Sequence, residues 1–199
     1  MSIRRALTRP ALLLLQSALL MTPLLATARE VATPAEHVDA DGPYVFRTAK
    51  GLEAAWVCKD HVIRRELPAR GEATVVAPEC GYPHPLTVLP PRTAEIGRFP
   101  ATPRIVALSD IHGQYGLLVT LLRAHHVIDS EDRWSLGDAT LVVAGDVFDR
   151  GPQVTEAFWL LYSLQQQAAA AGGAVHFVLG NHETMVLYND LRYVNPKYL

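Results

Sequence analysis

Cysteine is scarce: Cys58 and Cys80 are the only two in 199 residues. That number excludes a disulfide-dense miniature scaffold, and neither cysteine has the histidine–cysteine spacing of a zinc site. Charge of one sign is also lacking. The formal net charge is −2, and the lysines and arginines are scattered rather than striped, so no nucleic-acid partner is expected. There is no internal repeat. The one low-complexity tract, alanine at 168–171, reads as helix filler. What the chain does have is apolar residues, 49% of the total. That is enough to build a core and excludes wholesale disorder. The length gives room for one domain or one and a half.

The N-terminus carries Arg4, Arg5 and Arg9, then an apolar run from Ala11 to Leu25, then Ala26-Thr27-Ala28. A positive stretch, an apolar stretch and a small-x-small site together read as a secretory signal peptide over residues 1–28, cut after Ala28. The competing reading is an uncleaved anchor. Either way the remainder lies outside the cytoplasm, periplasmic or secreted, and meets the membrane only through this segment. In such an oxidising compartment Cys58 and Cys80 can bridge; two buried thiols are the alternative.

Residues 29–102 read as an exported extension. After a polar, proline-bearing stretch, Tyr44-Val45-Phe46, Ala55-Trp56-Val57 and His61-Val62-Ile63 are β-prone runs punctuated by glycine. Pro83, Pro85, Pro90, Pro91, Pro100 and Pro103 then predict a linker without regular structure.

From residue 103 to 199 the pattern is α/β. Arg104–Leu108, Thr140–Ala144 and Ala174–Leu179 are short apolar runs, as expected of strands buried on both faces. Between them lie a helix near Tyr115 to Ala124 and another marked by Val154, Ala157, Phe158, Leu161, Leu164 and Ala168, stopped by Gly172-Gly173. Alternating strands and helices with short loops predict a layered domain on a mainly parallel sheet, preceded by the small β-rich extension. Gln165-Gln166-Gln167 reads as a solvated helix face, and His176 as a core histidine.

In such sheets ligands bind at the carboxyl ends of the strands. Here those ends carry Asp110-Ile111-His112-Gly113, Gly145-Asp146-Val147-Phe148-Asp149-Arg150-Gly151 and Gly180-Asn181-His182-Glu183. Carboxylate, imidazole and amide oxygen suit manganese, iron or zinc better than copper(I), magnesium or calcium. Asp146, central among the loops, can bridge two ions. Arg150 can hold a phosphate bidentately, and Pro152 marks a helix N-terminus expected to add to the anion site. Glu183 reads as a favourable acidic residue in the first turn of a further helix.

The ordered set Asp-x-His-Gly, Gly-Asp-x-x-Asp-Arg-Gly and Gly-Asn-His-Glu resembles the calcineurin-like metallophosphoesterase superfamily, in its phosphoprotein phosphatase branch. The stretch from Asn189 to Val194 further resembles the Shewanella-like phosphatases. The resemblance covers roughly residues 104–194. It implies two divalent ions, manganese first, with iron or zinc as alternatives. Asp110 and His112 would hold one ion, Asp146 would bridge both, and Asn181 would hold the second and touch phosphate. His182 would be the general acid, oriented by Asp149, and Arg150 would bind substrate phosphate. The implied activity is hydrolysis of a phosphomonoester on a protein or small molecule by metal-activated water. The alternatives are a diadenosine tetraphosphatase-like nucleotide hydrolase and a truncated, non-catalytic exported protein. Ser109 replaces a common glycine, a change expected to be harmless. Leu179 replaces an arginine of the eukaryotic serine/threonine enzymes. The family's further histidine ligands and second arginine are expected downstream of Leu199, so the resemblance implies an N-terminal portion of the domain with weak metal binding and little activity of its own.

Overall fold

The computed structural model describes residues 40–59, 61–68, 72–75, 80–90 and 97–199. The basic and apolar leader, the cut after Ala28 and residues 29–39 lie outside the described residues.

The β-prone runs of the extension form an antiparallel meander. Strands β1 (Ala40–Thr48), β2 (Gly51–Cys58) and β3 (His61–Leu67) pair in that order. β2 is the central strand, and its alanines and Trp56 are buried while β3 faces outward. Cys58, at the end of β2, is disulfide-bonded to Cys80, which settles the choice between bridge and free thiols. Strands β4 (Ala73–Val75) and β5 (Leu86–Val88) form a separate antiparallel pair. β5 corrects the expectation of an irregular linker. Its residues sit between Pro85 and Pro90, and all three keep the backbone N–H that proline lacks.

The α/β part follows the sequence closely. β6 (Ile105–Leu108), α1 (Tyr115–Ala124), β7 (Thr140–Val143), α2 (Val154–Ala170), β8 (Ala174–Phe177) and α3 (Asn181–Leu187) occur in that order. The three strands are parallel, in the order β6-β7-β8. Only β7 is covered on both sides. In β6, Ile105 is 66% exposed, because alternate residues of the strand look away from the helices onto an uncovered face. On the helix side, Leu141, Val143 and Val175 join Leu118, Leu122, Leu160 and Leu164 in a buried cluster that continues into Trp56, Tyr82 and Leu86 of the extension. On the other side His176 is half-buried, its ring 3.8 Å from that of Phe99, rather than a core histidine.

Helix α2 is the seam between the two parts. Trp159 Nε1 donates to the Pro43 carbonyl at 2.8 Å, Leu89 N donates to the Tyr162 hydroxyl at 2.9 Å, and Gln166 Nε2 donates to the Thr87 carbonyl at 2.9 Å. The glutamine run is therefore not simply a solvated face. Gln165 reaches the Val175 carbonyl, and Gln167 accepts from Trp134 N. Each amide satisfies a backbone group that the strand pairing leaves free.

Candidate metal centre

The first two loops lie together at the carboxyl ends of β6 and β7 because their backbones hydrogen-bond to one another. His112 N and Gly113 N donate to the carbonyls of Asp146 and Val147, both at 2.9 Å. Gly151 N returns to the His112 carbonyl at 2.9 Å, and Gln153 N to the Gly113 carbonyl at 3.1 Å. Asp110, His112, Asp146, Asp149 and Arg150 all have positive φ, between 47° and 70°. For non-glycine residues that conformation costs about 1 kcal/mol each, and such strain concentrates where geometry serves function. The second and third loops nearly touch. A Cβ on Gly145 would stand 2.2 Å from Gly180 N, and one on Gly180 would stand 2.3 Å from Asp146 Oδ1. Only glycine allows this approach.

Ligand-capable atoms of Asp110, His112 and Asp146 lie within 4.8 Å of one another. Asp110 is exposed, His112 buried and Asp146 between the two. His112 Nδ1 is 2.9 Å from the Phe148 carbonyl. A carbonyl only accepts, so Nδ1 carries the proton and Nε2 keeps its lone pair for a cation, 3.7 Å from Asp110 Oδ1. Ser109 is not inert: its hydroxyl donates to Asp110 Oδ2 at 2.5 Å and steadies that exposed carboxylate. Carboxylates with one correctly protonated imidazole fit a divalent transition ion. Asn181, exposed at the start of α3, is placed by its neighbours: Gly180 packs on Asp146, and His182 N donates to Asp146 Oδ1 at 3.0 Å.

Beside this cluster His182 and Asp149 form a buried pair, Nδ1 to Oδ2 at 2.7 Å. The carboxylate accepts a hydrogen bond from Nδ1–H, which turns Nε2 toward Arg150, whose Nη2 is 3.4 Å away. The His112 and His182 rings meet edge to face at 4.6 Å, so the cluster and the pair form one surface. Arg150 itself is exposed.

Glu183 is a residue whose importance sequence reasoning missed. It is almost wholly buried, and its carboxylate accepts from the amides of Asp146, Val147, Phe148 and Gly180 at 2.7–2.9 Å. Burial alone would push its pKa up. The amide hydrogen bonds, led by that of Phe148, outweigh burial and hold the pKa below the usual 4.5. The side chain thus locks the second loop to the third. The signal was present in Gly-Asn-His-Glu, where a glutamate at the third helical position can reach back to the backbone. What it reaches in the other loop could not be read.

One expectation is corrected. Pro152 precedes α2, which starts at Val154, and the Val154 amide is already taken by the Tyr198 hydroxyl at 2.9 Å. Glu156, buried in the first turn, adds negative charge there. The start of α2 is therefore not an anion site.

Comparison with known proteins agrees with this geometry. Residues 103–198 match the family described as calcineurin-like phosphoesterase. Shewanella-like protein phosphatase 2 of Arabidopsis thaliana is 38% identical over 102 residues, covering 51% of this chain and 26% of the relative. Shewanella-like protein phosphatase 1 of Plasmodium berghei is 38% identical over 94 residues, 47% of this chain and 26% of the relative. The crystal structure of a cold-active protein-tyrosine phosphatase from a psychrophilic Shewanella superposes with a TM-score of 0.65 at 40% identity, covering 80% of this chain and 48% of that one. The chain thus spans about a quarter of these curated relatives and about half of the solved structure.

Proposed function

We propose that this chain, whose residues 103–198 match the calcineurin-like phosphoesterase family, serves a metal-dependent phosphatase that removes phosphate from phosphoproteins. The observation that carries this reading is the Asp110–His112–Asp146 cluster lying against the buried His182–Asp149 pair. The names of the similar proteins, two protein phosphatases and a protein-tyrosine phosphatase, support a phosphoprotein substrate.

In this reading Asp110 and His112 would hold one divalent ion, Asp146 would be shared with a second, and Asn181 would serve that second ion. When bound, such ions supply positive charge at the phosphate and lower the pKa of a water molecule toward neutrality. Manganese suits the mixed carboxylate and imidazole donors; iron and zinc also fit. The chain's own groups supply the rest. Arg150 turns its exposed guanidinium onto two phosphate oxygens, fixing the substrate's orientation. Asp149 accepts from Nδ1–H of His182 and offsets the charge of the ring when both nitrogens carry a proton, so that the Nε2 proton can pass to the departing oxygen. Glu183 keeps the loops in register while this happens. The basic and apolar leader, with the Cys58–Cys80 bridge, supports export to the periplasm or beyond.

The test is turnover of a phosphopeptide and of diadenosine tetraphosphate by the purified chain with manganese, beside an Asp146→Asn control. Phosphopeptide hydrolysis that the control lacks is expected, even if slow. A strong preference for the dinucleotide would transfer the reading to a nucleotide hydrolase.

A further inference from the structure

The segment after α3 has no place in the chemistry just described, yet it grips the loop that carries Arg150. Arg150 N donates to the Tyr193 carbonyl at 2.8 Å, and the Arg150 carbonyl accepts from Asn195 Nδ2 at 2.8 Å. Two residues further on, the Pro152 carbonyl accepts from Lys197 Nζ at 2.7 Å and from the Tyr198 hydroxyl at 2.8 Å. Arg150 stands at φ +64°, so its backbone needs such support to hold its direction. The segment is itself anchored: Lys197, nearly buried, lies 3.2 Å from Asp41 of β1.

Asn195 is the joint. Its Oδ1 accepts from Lys197 N at 3.0 Å and caps the short 3-10 turn Pro196–Tyr198, while its Nδ2 holds the Arg150 carbonyl. Both ends of the amide are in use. Aspartate or serine can supply the capping oxygen, but neither can reproduce the donation to Arg150. Aspartate has no donor, and the serine side chain is too short. We infer that Asn195 is a positioning residue for phosphate binding, fixing the backbone from which the Arg150 guanidinium reaches the substrate. This rests on the proposed role of Arg150 and adds the device that aims it.

The experiment is a calorimetric titration of the full chain with inorganic phosphate in manganese buffer, repeated on Asn195→Asp, Asn195→Ser, Arg150→Ala and the two double variants. Manganese affinity and thermal melting are measured alongside. Arg150→Ala should weaken phosphate binding roughly tenfold or more, as expected for a lost charged hydrogen bond. Both Asn195 variants should weaken it roughly three- to tenfold with manganese affinity unchanged, and serine must match aspartate so that the effect is not one of added charge. In the Arg150→Ala background neither should weaken it further, because a residue acting through Arg150 has nothing left to act on. Unchanged phosphate affinity in the Asn195 variants beside a weakened Arg150→Ala overturns the inference. So does a further loss in the double variants, or unfolding of both single ones, which would mark Asn195 as a stability residue. If Arg150→Ala itself binds phosphate normally, the role of Arg150 is what falls.

Discussion

The extension and the loops of the candidate metal centre are both built from short pieces of chain, but they are held in opposite ways. In the extension a central strand is buried through its alanines and Trp56, and a disulfide ties its end to Cys80. There the backbone is ordinary extended strand, and the stabilising terms are apolar burial and a covalent cross-link. In the loops five functional residues sit at positive φ, and one buried carboxylate, Glu183, collects amides from two loops. Strain is tolerated there because hydrogen bonds and glycine contacts leave the backbone no alternative. Damage to the extension should therefore cost stability and spare chemistry. Damage at the loops should abolish chemistry first.

The strongest way to break that contrast is at the buried pair. His182→Ala should reduce turnover of a phosphopeptide by about 10²–10⁴-fold, the usual contribution of a general acid, with melting temperature nearly unchanged. A large drop in melting temperature would place His182 among structural residues instead. Next comes Glu183→Ala, which leaves four amides without their acceptor. It should cost roughly 3 kcal/mol or more, read by denaturant unfolding, and should weaken manganese binding as well. Retention of both properties would show that the loops do not depend on this carboxylate.

In the extension, reduction of Cys58–Cys80, separated by 22 positions, should cost about 3 kcal/mol by loop entropy, while the molecules that remain folded keep their activity. Parallel loss of activity per folded molecule would erase the distinction between the two regions.

The smallest effect sharpens the comparison at the seam. Glu156 is buried, one carboxylate oxygen has no partner among the described residues, and Lys197 is 3.7 Å away. Burial pushes its pKa up, more than Lys197 pulls it down. A raised folded pKa means the favourable contribution is complete below the ordinary 4.5 and is lost as pH rises through the raised value. Glu156→Gln should therefore match the unaltered chain in acid and gain up to about 1 kcal/mol at pH 7. A clear loss at pH 7 would mean that the Lys197 attraction outweighs burial.

The sequence showed most of what the loops contain, because glycines, aspartates and histidines at strand ends have few other uses in such a pattern. It showed the helices through their period and the central strand through its apolar run. It could not show that one face of β6 is uncovered, since an apolar run reads the same whether one face or two are covered. It hides β5, because proline density marks the whole stretch as irregular although Leu86-Thr87-Val88 itself contains none. Glu183 and Asn195 were hidden for a different reason. Each acts on backbone atoms far along the chain, and backbone partners leave no residue type to recognise. Gln166 and Lys197 share that obscurity.

The account rests on Asp110, His112 and Asp146 gripping a cation. The direct measurement is anomalous scattering at the manganese edge from crystals of the chain soaked in manganese. The expected result is a peak about 2.0–2.3 Å from His112 Nε2 and from a carboxylate oxygen of Asp146, the usual range for nitrogen and oxygen ligands of such ions, and none in an Asp146→Asn crystal. Manganese bound elsewhere, or a peak that survives in the variant, would contradict it.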